Sequence, residues 1–343
     1  MKYSLLLVLI ASLLVPALAQ ETADGPTNEK ARKTYKQALD DMHKDLLLDA
    51  LEGFKKADKQ DGGHCLDCQK KMIKYGLALR DWKAAETAAA EMVASAQGEK
   101  NVALAHYEFG FVLKAEGLEK HKDEIFSRAH EEMTKAIATY ANFPDAYLGD
   151  GQILAQLKQD DAAKAQFEQF VKLRPADDPV RQRALRYISE PDLARARMAP
   201  AFSITTTDGQ RVSLDDLKGK VVLLDFWATW CEPCREALPH VREITKKFQG
   251  QPLVVLSVSL DEDEQKWKDF VAKNEMTWMQ YRDGGFKGPI ASLFAVEAIP
   301  QTFTIDADGV LQDQRIGDMS IEGKLKKLVN RARDAQVAGT QKP

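Results

Sequence analysis

Cysteine is scarce, with four residues in 343. That is far too few for a disulfide-built scaffold in a chain of this size. Charge of one sign is scarce as well. The formal net charge is −4, so no basic field draws the chain toward nucleic acid or anionic lipid. Beyond residue 20 no run is long and apolar enough to span a bilayer. Between Ala31 and Arg197 long strand-like runs are missing too. The composition is otherwise that of an ordinary soluble protein, long enough for two domains.

What is present begins with the leader. Lys2 precedes an apolar run over residues 5–15, and Ala17-Leu18-Ala19 puts small residues where a signal peptidase reads. This is the layout of a cleavable secretory signal over residues 1–19, with the mature chain starting near Gln20. No cysteine stands at the cleavage point, which argues against a lipoprotein anchor; an uncleaved membrane anchor is the alternative. Either way the rest is expected outside the cytoplasm, in the periplasm or cell envelope.

Residues 31–197 are rich in Ala, Lys, Glu, Gln and Leu, with apolar residues three and four apart. That pattern predicts helices. A period near 34 residues runs through it, the tetratricopeptide length. The clearest copy spans residues 144–175, with Tyr147, Gly151 and Leu154 on a first helix and Ala163 and Phe167 on a second. Ala50, Phe54 and Ala57 repeat the second-helix spacing, and so do Trp82, Ala85 and Ala89. His106, Gly110 and Leu113 match a first helix, and Ala129, Met133 and Ala136 its partner, with extra residues between them over about 116–128. About four units result, closed by a capping helix at 179–188. The expected helical domain covers 31–189, followed by a linker at 190–199. Solenoids of this kind offer a concave surface to a peptide or partner protein; a spacer is the plainer alternative.

Cys65 and Cys68 lie in this half, within GGHCLDCQ. A c-type haem site needs histidine after the second cysteine, where Gln69 stands. A zinc site needs four ligands, and only His64 is near. A local disulfide pinning the start of a helix is the expected reading, with a second redox centre as the alternative.

After Met198-Ala199-Pro200 the texture changes. Residues 202–204 and 212–214 flank Asp208-Gly209 and predict a hairpin. Residues 221–227 form an apolar run broken only by Asp225, and 253–260 form another, so both read as buried strands. Residues 233–248 read as a helix, 302–305 and 310–315 as a hairpin around Asp308-Gly309, and 322–335 as the last helix. The alternation predicts an α/β sheet with helices on both faces.

VVLLDFWATWCEPCR, with AIPQTFTID downstream, resembles the thioredoxin fold. The leader APAFSITTTDGQRVSLDDLKGK narrows the likeness to TlpA/ResA-like thiol–disulfide oxidoreductases of the bacterial envelope. It covers about residues 198–335 and implies a thioredoxin-like domain over 200–335, with a tail at 336–343. The expected fold class is therefore an all-α tetratricopeptide-like solenoid followed by a thioredoxin-fold α/β domain.

The resemblance implies that Cys231 is the exposed nucleophile, at a helix amino terminus that lowers its thiol pKa. Cys234, partly buried, is then the resolving thiol. Pro233 stiffens the turn, and Glu232 sets a negative charge beside the sulfur that opposes the lowering. Pro300 matches the family's cis-proline, and the backbone of its neighbour Ile299 is expected to pair with the substrate chain, beside Trp230. A glutamate usual three residues after the second cysteine is replaced by Ala237, and Glu236 points elsewhere on the helix. Asp225, six positions before the first cysteine, resembles the buried aspartate of thioredoxin and is the expected proton relay, its pKa raised by burial; a solvated or hydrogen-bonded strand aspartate is the plainer alternative.

No cofactor is expected beyond the Cys231–Cys234 disulfide, and no metal. Expected partners are disulfide-containing envelope proteins, a membrane-bound electron donor, and an unidentified peptide or protein on the repeat surface. A peroxiredoxin would need threonine at Ala228 and proline at Leu224. The non-enzymatic alternative is a tetratricopeptide adaptor whose thioredoxin module only docks.

Overall fold

The computed structural model describes residues 25–207, 209–317 and 320–340. The expected signal at 1–19, Gln20, Asp208 of the first hairpin turn and residues 341–343 of the expected tail lie outside the described residues. Among the described residues, no helix is long and apolar enough to cross a membrane.

The chain divides into two compact units. The first holds the described residues up to Pro175 together with Tyr187–Arg195. Eight helices make its body: α1 (Glu29–His43), α2 (Leu47–Gln60), α3 (Leu66–Leu79), α4 (Trp82–Ser95), α5 (Glu99–Lys120), α6 (Asp123–Thr139), α7 (Pro144–Gln156) and α8 (Asp160–Leu173). They pack as four successive pairs, the second helix of each pair also packing on the first helix of the next. Small residues set the approach: a Cβ on Gly151 would lie 2.5 Å from the Phe167 ring, and one on Gly117 2.9 Å from Phe126. Ala50, Phe54 and Ala57 of α2 are fully buried, as their spacing implies. The extra residues expected at 116–128 are not a separate insertion. They lengthen α5 to 22 residues and α6 to 17, with a turn only at His121–Lys122.

Two short helices follow, α9 (Pro179–Ser189) and α10 (Pro191–Arg195). Here the boundaries differ from expectation. The linker expected at 190–199 is helical over α10, and the expected capping helix is divided, residues 176–186 clustering with the second unit and 187–195 with the first. The cause is electrostatic. Arg183, only 3% exposed, donates Nε to both oxygens of Asp215 at 2.9 and 3.0 Å and Nη1 to the Ala199 carbonyl at 2.9 Å. Arg186 adds a bond to Asp215 at 2.8 Å and one to the Asp308 carbonyl at 2.9 Å.

The second unit is a mixed sheet. Strands β1 (Ser203–Thr205) and β2 (Arg211–Ser213) form a separate antiparallel pair. The main elements are β3 (Val221–Trp227), α11 (Glu232–Lys247), β4 (Leu253–Ser259), α12 (Glu264–Lys273), β5 (Met279–Arg282), α13 (Pro289–Leu293), β6 (Gln301–Ile305), β7 (Leu311–Ile316) and α14 (Glu322–Thr340). Strand order is β5-β4-β3-β6-β7. β3 pairs parallel with β4 and antiparallel with β6, so it lies at the centre. All seven of its residues are buried. Alternate side chains serve opposite faces: Val222, Leu224 and Phe226 join one apolar cluster, with Trp267 of α12 and Ile290 of α13, while Val221 and Leu223 join another under Leu325 and Val329 of α14. α14 runs past the expected end at 335 into the expected tail.

Candidate active site

β3 ends at Trp227 and α11 begins at Glu232. Cys231, in the short link between them, is the helix N-cap: its Sγ accepts from the Cys234 N–H at 3.2 Å. A sulfur so placed meets unpaired amide protons and the positive end of the helix dipole. Pro233 sits in the first turn, where a missing N–H costs nothing. Cys231 and Cys234 are joined as a disulfide with Cα atoms 5.3 Å apart.

Neither residue is exposed in this oxidised form. Cys231 is 6% and Cys234 5% accessible, and both belong to the apolar cluster beneath the sheet. Cys231, the expected exposed nucleophile, is covered in this disulfide form. Exposure falls instead on Trp230, at 59%, whose ring lies 6.5 Å from that of Phe286. Glu232 is exposed and pairs with Arg235 one turn on, so a cation shares the charge that sits beside the sulfur. Glu236 is exposed on α11.

Asp225 lies mid-strand in β3, opposite Ser257 of β4 and Thr302 of β6. Its Oδ2 accepts from Ser257 Oγ at 3.0 Å, and Ser257 Oγ accepts from Trp278 Nε1 at 2.9 Å. An indole N–H can only donate, so the serine proton is left for the carboxylate. Burial pushes the Asp225 carboxyl up to about 6, with the Ser257 bond pulling the other way.

The Ile299–Pro300 peptide is cis. Gln301 pairs with Phe226, which brings Pro300 to the end of β3 from which the cysteine loop leaves. The Pro300 carbonyl accepts from Gly317 N–H at 2.9 Å. Ile299 is half-buried and packs against the cluster that contains both cysteines.

One anchoring residue escaped the sequence. Asp261, 3% exposed, accepts from Thr229 N–H at 2.9 Å, Thr229 Oγ1 at 2.5 Å and Ser259 Oγ at 2.7 Å. It ties the loop before Cys231 to the end of β4. The only signal was an aspartate shortly after an apolar strand. Among the described residues, no group of three or more His, Cys, Asp or Glu is placed to hold a metal.

A thioredoxin-type sheet with a cysteine pair at a helix start defines a class, the thiol–disulfide oxidoreductases. Comparisons agree. Residues 196–314 match the profile of the AhpC/TSA family. The thiol-disulfide oxidoreductase ResA of Bacillus anthracis is 35% identical over 133 residues, spanning 38% of this chain and 76% of its own. The thioredoxin-like protein YneN of Bacillus subtilis (strain 168) is 34% identical over 142 residues, spanning 40% and 81%. A solved thiol-disulfide oxidoreductase from Bacteroides fragilis is 28% identical, with TM-score 0.36 over 38% of this chain and 98% of that one. The chain belongs to the ResA family of thiol-disulfide oxidoreductases and is a protein-disulfide oxidoreductase of thioredoxin fold.

Proposed function

We propose that the chain is exported and reduces disulfides of envelope proteins through the Cys231/Cys234 dithiol. The carrying observation is the N-cap at Cys231, where the sulfur accepts an amide proton that also stabilises a thiolate. The reduced Cys231 attacks a substrate disulfide; its Sγ bonds one substrate sulfur and the other leaves as a thiolate. Cys234 then attacks Cys231 Sγ and releases the second substrate sulfur. Two electrons pass to the substrate, and the pair is left as the disulfide found here.

Cys234 must lose a proton before it attacks. Asp225 takes it, and because Ser257 occupies Oδ2, the exchanging atom is Oδ1. Trp230, Ile299 and Pro300 receive the substrate chain. Glu232, shared with Arg235, opposes the stabilisation of the thiolate less than a lone carboxylate would. No cofactor takes part; a membrane-bound dithiol donor returns the electrons. Export rests on the leader at 1–19. The stacked helical pairs supply a surface for a peptide or protein partner.

Turnover of insulin disulfides with dithiothreitol tests this. The wild type is expected to turn over, Cys231→Ser to be inactive, and Cys234→Ser to accumulate a mixed disulfide through Cys231. Absence of turnover by the reduced wild type would sink the reading and leave an adaptor.

A further inference from the structure

The two cysteine pairs have the same local build. Cys65 is the N-cap of α3, and its Sγ accepts from the Cys68 N–H at 3.2 Å. Cys231 does the same to Cys234 at the same distance. The Cα separations are 5.2 and 5.3 Å.

As a staple the Cys65–Cys68 bond does little. Both ends lie in the first turn of one helix, so it ties no second element, and closing so short a ring constrains the unfolded chain only slightly. A buried carboxylate stands beside it. Asp58, 3% exposed, accepts from Cys65 N–H at 3.1 Å and from Gln69 Nε2 at 3.3 Å. Burial pushes its carboxyl and that of Glu91 upward, and the Asp58 charge adds to the effect on Glu91. A cleft of about 670 Å³ is lined in part by Asp58, Glu91, Gly62 and Gly63, and neither cysteine lines it.

We propose that Cys65 and Cys68 form a second, gated redox couple that exchanges electrons with thiol reductants of the glutathione or dithiothreitol class. A reductant thiolate attacks Cys65 Sγ; the S–S bond breaks and Cys68 leaves as a thiolate, which takes up the proton of the second reductant thiol. A second reductant thiolate cleaves the mixed disulfide, frees the oxidised reductant and leaves Cys65 as a thiolate capping α3. Two electrons have entered the chain.

The gate is steric. Cys65 and Cys68 are fully covered, and Tyr35 of α1 packs against them with its hydroxyl donating to Asp67 of α3. Exchange therefore waits on the withdrawal of Tyr35 and is slower than at Cys231.

The test uses the full chain with Cys231→Ser and Cys234→Ser, equilibrated in graded reduced and oxidised glutathione or dithiothreitol. Free thiols are then capped with a mass tag. Two tags are expected to appear together and reversibly as the buffer becomes reducing, with the far-ultraviolet helical signal intact. Tyr35→Ala should speed the reduction at least tenfold. Should that variant lose helicity, Tyr35→Phe, which removes only the tie to Asp67, is expected to speed it severalfold. A pair that stays untagged until denaturant melts the helices would overturn the proposal and leave a structural disulfide, as would reduction that always accompanies loss of helicity.

Discussion

Asp225 was visible in the sequence as the one polar residue in an apolar run. Ser257 and Trp278 were not, because they are 32 and 21 residues from their partners and meet only through strand pairing. Their network fixes how the site responds to pH. Folding raises the carboxyl from an ordinary 3.8 to about 6, so the protonated form is the one the fold prefers. The cost of burying the charge is absent below about pH 4, grows as pH rises to about 6, and is constant above. A shift of that size corresponds to about 3 kcal/mol. Asp225→Asn, which keeps the shape and an acceptor for Ser257, should therefore melt higher than wild type at about pH 7.5, and the gap should close near pH 4. The same variant should turn over disulfides roughly 100-fold more slowly, the usual worth of a positioned base. Equal rates across about pH 6–9 would remove Asp225 from the relay.

Among elements, the central strands and α11 were legible because an unbroken apolar run and a helix-start cysteine motif each carry their own signal. β5 was not. Met279–Arg282 is a four-residue edge strand whose residues are mostly half-buried, so neither alternation nor a continuous apolar run marks it. The lengths of α5 and α6 were not legible for a different reason. The repeat period locates the close contact at Gly110, but says nothing of where a helix stops, so Gly117 fell among the extra residues. The loop into α11 depends on Asp261, which satisfies three donors at once. Asp261→Ala leaves the Thr229 N–H without its acceptor and should cost about 2–4 kcal/mol. Thermal melts should show the loss. Turnover should fall further than stability explains, since the cysteine loop is no longer held.

At the scale of the whole chain, two units of different class follow from the change of texture near residue 198, yet the cut does not fall there. Arg183 and Arg186 look like ordinary surface charges of an amphipathic helix, and only the fold brings them to Asp215. The pair is deeply buried: the Arg183 and Asp215 side chains are 4% and 6% exposed. Breaking such a pair by removing one partner costs about 3–5 kcal/mol. Arg183→Ala in the full chain should therefore lower the stability of the second unit by that amount, and a fragment starting at residue 198 should have a lower denaturant midpoint than one starting at 176, while both retain the Cys231/Cys234 chemistry. Equal midpoints would show that Asp215 finds water as good a partner.

The same ion pair bears on how such a module could be transplanted. A gene fusion cut where the composition changes, at Met198, would hand the new host an oxidoreductase lacking the guanidinium that neutralises its own interior carboxylate. The portable cassette is longer than the recognisable motif and opens at Ala176, so its first helix belongs by sequence texture to the neighbour it would leave behind.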